Sequence, residues 1–171
     1  RTRVALDNRV AGHSGNLRNL AALFQTAGAI PNRQQLHDYV RRLDLPNRYP
    51  GLATIGFSLR TNKSELAELE KTARENDVDP NYHVWTTDPP RDEFFPVMYL
   101  EPSDERNRIA LGFDMRSEAS RGAAMDTACD TGLLTSSGKV TLVQDKTLPG
   151  GPQPAFVLFI ALYKKDDLPP T

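Results

Sequence analysis

The chain has 171 residues, and its 21 Lys plus Arg balance 22 Asp plus Glu. A chain of this length forms one domain whose core needs no disulfides, and the single cysteine, Cys129, excludes an intrachain one. Because the two charge signs are interspersed along the sequence, the basic patch typical of nucleic-acid binding is missing.

No segment has the length and apolar character predicted for a membrane span. The longest apolar run, residues 156–163, has eight residues, whereas a spanning helix needs about 20. The chain begins at Arg1 and ends in a loop-like segment, residues 168–171. We therefore expect it to be a piece of a longer protein, with any membrane spans outside it.

A long first helix is predicted over residues 3–26. Gly12 and Gly15 weaken this helix by about 1 kcal/mol each relative to alanine. The helix therefore needs a partner surface, which is either a second copy of the chain or the rest of its own domain. Its apolar stripe consists of two series with seven-residue spacing: Val10, Leu17 and Phe24, and Leu6, His13 and Leu20.

Two further helices carry capping signals at their N-termini. Asn32 with Gln35, and Asn62 with Glu65, each match the capping-box pattern of a polar N-cap and a Gln or Glu three residues later. The first box predicts a short helix. The second predicts a surface helix that ends at Asn76-Asp77.

The rest of the chain alternates β-rich segments with turns and one more helix. Ser117 is the predicted N-cap of a helix that runs to Asp130, and Gly132 is its left-handed stop. The elements together predict an α+β domain with a mostly antiparallel sheet covered by helices, a layout that PAS-like modules share with other folds. Strands are predicted at residues 52–59, 82–86, 94–100, 109–113, 140–144 and 155–163.

Five segments in fixed order resemble the CHASE family of sensor domains. Each motif alone is unspecific, but the ordered set covers residues 49–163. The segments are Tyr49-Pro-Gly-Leu-Ala-Thr-Ile-Gly-Phe57, Phe95-Pro-Val-Met-Tyr-Leu-Glu-Pro102, Asn107-Arg-Ile-Ala-Leu-Gly-Phe-Asp-Met-Arg-Ser117, residues 121–144 with Thr135-Ser136 and Val140-Thr-Leu-Val-Gln144, and Phe159-Ile-Ala-Leu-Tyr163.

The resemblance implies an extracytoplasmic small-molecule sensor of a transmembrane receptor, a histidine kinase or diguanylate cyclase, related to the plant cytokinin receptors. Residues 1–48 correspond to a helical stalk that forms a homodimer, and residues 49–171 to a membrane-distal PAS-like domain of about five strands. The chain is then not an enzyme itself and needs no cofactor. The alternative is a protein-interaction or dimerisation module that acts through the first helix without a ligand.

The family similarity also implies a ligand site between the sheet and the helix that follows the Gly-Phe-Asp-Met stretch. Four of the residues expected there have an alternative role that involves no ligand. Met115 and Phe159 can be ordinary core residues, and the Thr135 hydroxyl can donate to nearby backbone. The Asp114 carboxylate can instead stabilise a helix N-terminus. The expected site residues are Tyr99, Asp114, Met115, Arg121, Thr135, Thr141, Phe159 and Ala161.

Arg121 departs from the family pattern. The plant receptors carry a carboxylate on this helix, which accepts paired hydrogen bonds from adenine, whereas an arginine only donates and suits carboxylates or phosphates. If Arg121 faces the pocket, we expect a ligand with acceptors, such as a small organic acid, in place of a cytokinin-like adenine derivative held in the plant manner. If it points outward, it is a solvated charge.

Other chemistries have weaker signals. Asp130-Thr131-Gly132 matches the aspartic-protease tripeptide, but that chemistry needs two aspartates sharing a proton, and one copy is present. The alternative is a helix stop at Gly132. His13, His37 and His83 have no metal-ligand spacing, so no metal site is predicted.

Overall fold

A computed structural model of the protein describes residues 2–28, 30, 32–76, 78–86, 91–146 and 148–163, with the backbone alone for residues 2–8. Within these ranges the chain mixes helices with short antiparallel strands. The predicted α+β class is confirmed.

Local capping signals correctly predict the start of the second helix and of the 3₁₀ turn that leads into the fourth. Asn32 and Gln35 form a complete capping box, as do Asn62 and Glu65, and Gly132 ends the last helix in the left-handed conformation with φ 68°. Asp77, half of the predicted stop of the fourth helix, lies outside the described residues. The helices are α1 (Thr2–Ala27), α2 (Arg33–Leu43), α3 (Leu45–Arg48), α4 (Leu66–Glu75), α5 (Glu105–Arg108) and α6 (Ala119–Thr131), with 3₁₀ turns at Lys63–Glu65, Met115–Ser117 and Val143–Asp145.

The strands form four separate two-stranded sheets within the described ranges, so the predicted five-stranded sheet is not confirmed. All four pairings are antiparallel, as expected. Every strand but β1 and β4 has only two residues, too few to build a broad ladder. The pairs are β1 (Ile55–Ser58) with β4 (Val97–Glu101), β2 (Thr61–Asn62) with β3 (Glu93–Phe94), β5 (Thr135–Ser136) with β8 (Leu158–Phe159), and β6 (Val140–Thr141) with β7 (Pro154–Ala155).

Three sequence predictions are wrong. Residues 82–86 and 109–113 form no strands; a single parallel bridge joins Trp85 to Phe113, and residues 109–112 form turns after α5. Ser117 does not cap α6. Glu118 does, because its carboxylate oxygens accept hydrogen bonds from the Ser120 and Arg121 amides.

The buried core is divided into three hydrophobic clusters. The first joins α1 to α2, α3 and β1, so the C-terminal half of the α1 stripe packs on its own domain. The side chain of Leu6, at the start of that stripe, lies outside the described residues. The clusters centre on Leu20, Phe24, Leu36, Val40, Leu45 and Ile55; on Ala73, Val78, Tyr82 and Met98; and on Val97, Ala110, Phe113 and Val143.

Candidate functional site

A cavity of about 1280 Å³ is lined by α1, β1 with its flanking residues, α6 and residues 154–163. Its wall extends from fully buried residues such as Phe113 to exposed ones such as Phe156, so the cavity connects the core with the surface. Pockets for drug-sized molecules have volumes of roughly 300–1,000 Å³. The cavity is therefore large enough for a small organic ligand.

β1 and residues 154–163 both line this cavity, yet no strand pairing joins them within the described ranges. β1 pairs with β4, and β8 pairs with β5. Leu162 nevertheless packs against the cluster that contains Ile55. The cavity thus lies between two segments that touch through Leu162 but that no strand pairing joins within the described ranges.

Arg121 is the buried charged residue of the cavity wall. The carboxylate of Glu118 fixes the first turn of α6 and places Arg121 on its inner face, where it is 3% exposed. Its Nη2 donates to the Thr141 carbonyl oxygen at 2.8 Å, and its Cζ lies 5.4 Å from the centre of the Phe113 ring. Burial lowers the pKa of the guanidinium, and the nearby Glu118 carboxylate partly opposes this.

Four of the eight predicted site residues line the cavity: Met115, Arg121, Phe159 and Ala161. Met115 begins a 3₁₀ turn, where its amide donates to the Phe95 carbonyl oxygen at 3.1 Å. Phe159 lies in β8, opposite Thr135. The structure brings these side chains to one wall; their contact with a ligand stays a prediction.

Two of the other four residues, Tyr99 and Asp114, lie outside the lining. The Tyr99 ring in β4 stacks on Phe57, with ring centres 6.2 Å apart. Asp114 is completely buried, and its Oδ1 accepts hydrogen bonds from the amides of Phe95 at 2.8 Å and Arg116 at 3.3 Å. Its carboxylate caps the 3₁₀ turn at Met115–Ser117, which precedes α6. The expected position, at the N-terminus of α6 itself, lies one turn later.

The last two, Thr135 and Thr141, also lie outside the lining. The Thr135 hydroxyl donates to the Leu133 carbonyl oxygen at 3.2 Å. Thr141 is exposed, and its contribution is the backbone carbonyl that accepts from Arg121. For these residues, a role in ligand contact remains a sequence prediction.

Sequence reasoning missed the contribution of α1 to the cavity wall. His13 and Leu17 line the cavity, although residues 1–48 are predicted to be a stalk apart from the ligand domain. Burial is the larger cause that lowers the pKa of His13 and the neighbouring Arg9 charge the smaller one, and both favour the neutral imidazole. The apolar stripe of the first helix did predict that this helix packs on a partner surface. The sequence did not indicate whether that surface belongs to its own domain or to a second copy of the chain.

The structure adds little support to the other chemistries. No cluster of three or more potential metal-ligating side chains occurs within the described part of the chain. Asp130 is exposed in the last turn of α6, and Gly132 closes that helix, so the tripeptide lies at a helix end. None of the helices in the described ranges combines the length and apolar character that a membrane crossing requires.

The CHASE domain family model matches residues 31–171, which is most of the chain. The match extends from the start of α2 to the end of the sequence and includes the cavity walls formed by β1, α6 and residues 154–163. No curated protein matches the chain.

Proposed function

The chain belongs to the CHASE domain family, and on this premise we propose that it senses a small molecule for a transmembrane receptor. CHASE domains are extracytoplasmic sensor domains of membrane receptors. The cavity of about 1280 Å³ is the observation that supports ligand binding, because it is lined largely by apolar residues with one buried cation among them.

In this proposal the full-length receptor carries a histidine kinase or diguanylate cyclase output, and the chain itself catalyses nothing. Residues 1–48 serve as the helical stalk, and residues 49–171 as the membrane-distal PAS-like domain. Met115, Arg121, Phe159 and Ala161 contact the ligand, since they line the cavity. Tyr99, Asp114, Thr135 and Thr141 support its walls from behind.

Ligand binding is transmitted by a shift between two arrangements of the cavity walls. A ligand that contacts α1 and residues 154–163 together favours the arrangement in which both lie closer. The cavity exceeds the usual size of a small-molecule pocket, so we expect it to contract around its ligand. Contraction moves residues 154–163 toward the edge of β1 that does not pair with β4, and so joins the β1–β4 and β5–β8 pairs into one larger sheet.

Thermal-shift screening against adenine derivatives, organic acids and amino acids tests this function. A ligand at a hundred times its Kd raises the melting temperature of a domain this size by about 5–10 °C. Ala161→Trp, which places a bulky ring at a predicted ligand contact on the cavity wall, should reduce or abolish the shift. Ala123→Trp, on the exposed face of α6, should leave it unchanged. A collection in which no compound binds contradicts ligand sensing.

The competing function is a dimerisation module that uses α1. Leu23 is 55% exposed on this helix, an apolar side chain that a second copy of the chain can cover. Sedimentation equilibrium of the wild type and of Leu23→Glu distinguishes the two functions. Dimerisation that Leu23→Glu abolishes, without any ligand-induced thermal shift in the wild type, favours the module.

A further inference from the structure

Arg121 has an unusual combination of burial and unfilled hydrogen-bonding capacity. A guanidinium carries five N–H donors. The structure gives Arg121 one acceptor, the Thr141 carbonyl oxygen at Nη2, while Nε is buried and has no hydrogen-bond partner. A buried polar group without a partner destabilises the fold. The unpartnered Nε therefore points to a partner that the chain itself does not supply.

Two half-buried arginines, Arg106 and Arg116, differ from Arg121 because each has a carboxylate. Arg106 pairs with Asp145, and Arg116 pairs with Glu93 and Asp126, although both arginines are more exposed than Arg121. No ion pair involves Arg121 within the described residues. Its neighbouring carboxylate, on Glu118, is engaged in capping α6.

Two contacts of the guanidinium are part of the cavity wall or lie beside it. The Phe113 ring covers one side of it, with Cζ 5.4 Å from the ring centre, and the Thr141 carbonyl holds Nη2. The side chain lines the cavity, whose wall is mainly apolar. A ligand in the cavity can therefore approach the guanidinium, although Nε itself is covered by protein atoms and is reached only when the cavity wall rearranges.

The remaining charges on the cavity wall also favour an anion. The charged lining residues among those described are Arg9, Arg60, Arg121 and Asp130. Arg60 is neutralised by Glu93 at 2.6 Å. Arg9 and Asp130 are exposed, so solvent screens them. The buried charge that a ligand meets is the cation of Arg121.

We propose that the ligand of this cavity is a small organic acid, whose carboxylate binds Arg121 at Nε while its apolar body packs against the cavity wall. This inference rests on the proposed sensing function and specifies its ligand class. Two hydrogen-bond acceptors on one planar group match the guanidinium edge, as in other Arg–carboxylate pairs. The same group in a primary amide carries no charge and presents a donor in place of one acceptor.

The test compares carboxylates with their primary amides. Octanoate, phenylacetate and 4-phenylbutyrate, each beside its amide, are titrated into the protein by isothermal calorimetry. At least one acid should bind at least about 10-fold more tightly than its amide, because a hydrogen bond to a charged group contributes about 1.5–3 kcal/mol. Arg121→Met should remove this preference. Arg116→Met should preserve it, since Arg116 is not among the residues that line the cavity, although it lies over the ring of Phe95, which is among them.

The melting temperature without ligand gives a second measurement. Removing an uncompensated buried cation should leave Arg121→Met as stable as the wild type or more stable, while Arg116→Met loses two ion pairs and should melt earlier. A large loss of stability in Arg121→Met indicates a structural cation and overturns the proposal.

The outcomes separate this inference from the sensing function. Amides that bind as tightly as their acids, or neutral compounds that bind when the acids do not, overturn the organic-acid assignment and leave the sensor intact. A protein that binds none of these probes and no compound of the wider collection refutes both.

Discussion

The side-chain amide of Gln25 forms two hydrogen bonds with the backbone of Tyr163, which lies 138 residues later in the chain. Nε2 donates to the Tyr163 carbonyl oxygen at 2.9 Å, and Oε1 accepts from its amide at 3.1 Å. The Tyr163 hydroxyl lies 2.6 Å from the Cys129 carbonyl oxygen at the end of α6. Three walls of the cavity, α1, α6 and residues 154–163, therefore meet at Tyr163.

Gln25→Ala should lower the free energy of unfolding by about 1–2 kcal/mol, since it leaves both backbone groups of Tyr163 without their partner. Gln34→Ala is the matched control, because Gln34 is exposed and bonds only to Asp38 on its own helix, so its loss should stay below about 0.5 kcal/mol. Urea denaturation measures both. Faster exchange of the Tyr163 amide in Gln25→Ala should accompany the loss; equal effects of the two variants argue against the link.

Gly112→Ala should destabilise the protein by about 3 kcal/mol or more, because a Cβ there lies 1.8 Å from the His83 carbonyl oxygen at a φ of +75°. Gly12→Ala has open space around it in α1 and should stabilise the helix by about 0.5–1 kcal/mol. Thermal denaturation of the two variants compares them. An unchanged melting temperature for Gly112→Ala means that the turn after α5 can move away from His83.

Tyr82 should make the protein sensitive to alkali. Burial raises the pKa of its hydroxyl, which lies 3.0 Å from the Val97 carbonyl oxygen. The unfolded hydroxyl titrates near pH 10, so the stabilisation is complete below about pH 10 and is lost as the pH rises above it. Tyr82→Phe cannot ionise there, and its free energy of unfolding should fall less between about pH 10 and pH 12 than that of the wild type. Urea denaturation at each pH gives both slopes, and parallel slopes contradict this assignment.

Asp114→Ala should cost about 2–3 kcal/mol, because it leaves the buried Phe95 amide without its acceptor. Asp114→Asn keeps an acceptor oxygen at the Oδ1 position and replaces the unpartnered Oδ2 by a neutral amide nitrogen. We therefore expect it to lower the free energy of unfolding clearly less than Asp114→Ala does. Chemical denaturation ranks the two variants. Equal losses indicate that the charge, and not the acceptor at Oδ1, stabilises the turn.

The two errors in the strand predictions have different causes. Residues 109–113 are apolar enough for a strand, but Asp104 caps α5 and Gly112 adopts a positive φ, so the segment turns and buries Ala110 and Phe113 instead. Asp104 was a readable signal, since it precedes Glu105 at a helix start. Residues 82–86 form one isolated bridge with Phe113 within the described ranges, since a strand also requires a neighbour that the local sequence does not specify.

The sequence by itself determined the family, the α+β class and the caps of α2 and of the 3₁₀ turn that leads into α4, because family motifs are ordered along the chain and a capping box joins residues three positions apart. Only the tertiary structure decided that Arg121 lies on the cavity wall, where no carboxylate of the described residues forms an ion pair with it. It also decided that the Gln25 side chain binds the backbone of Tyr163. Those relationships join residues 20 and 138 positions apart, and the packing of whole helices and strands sets them.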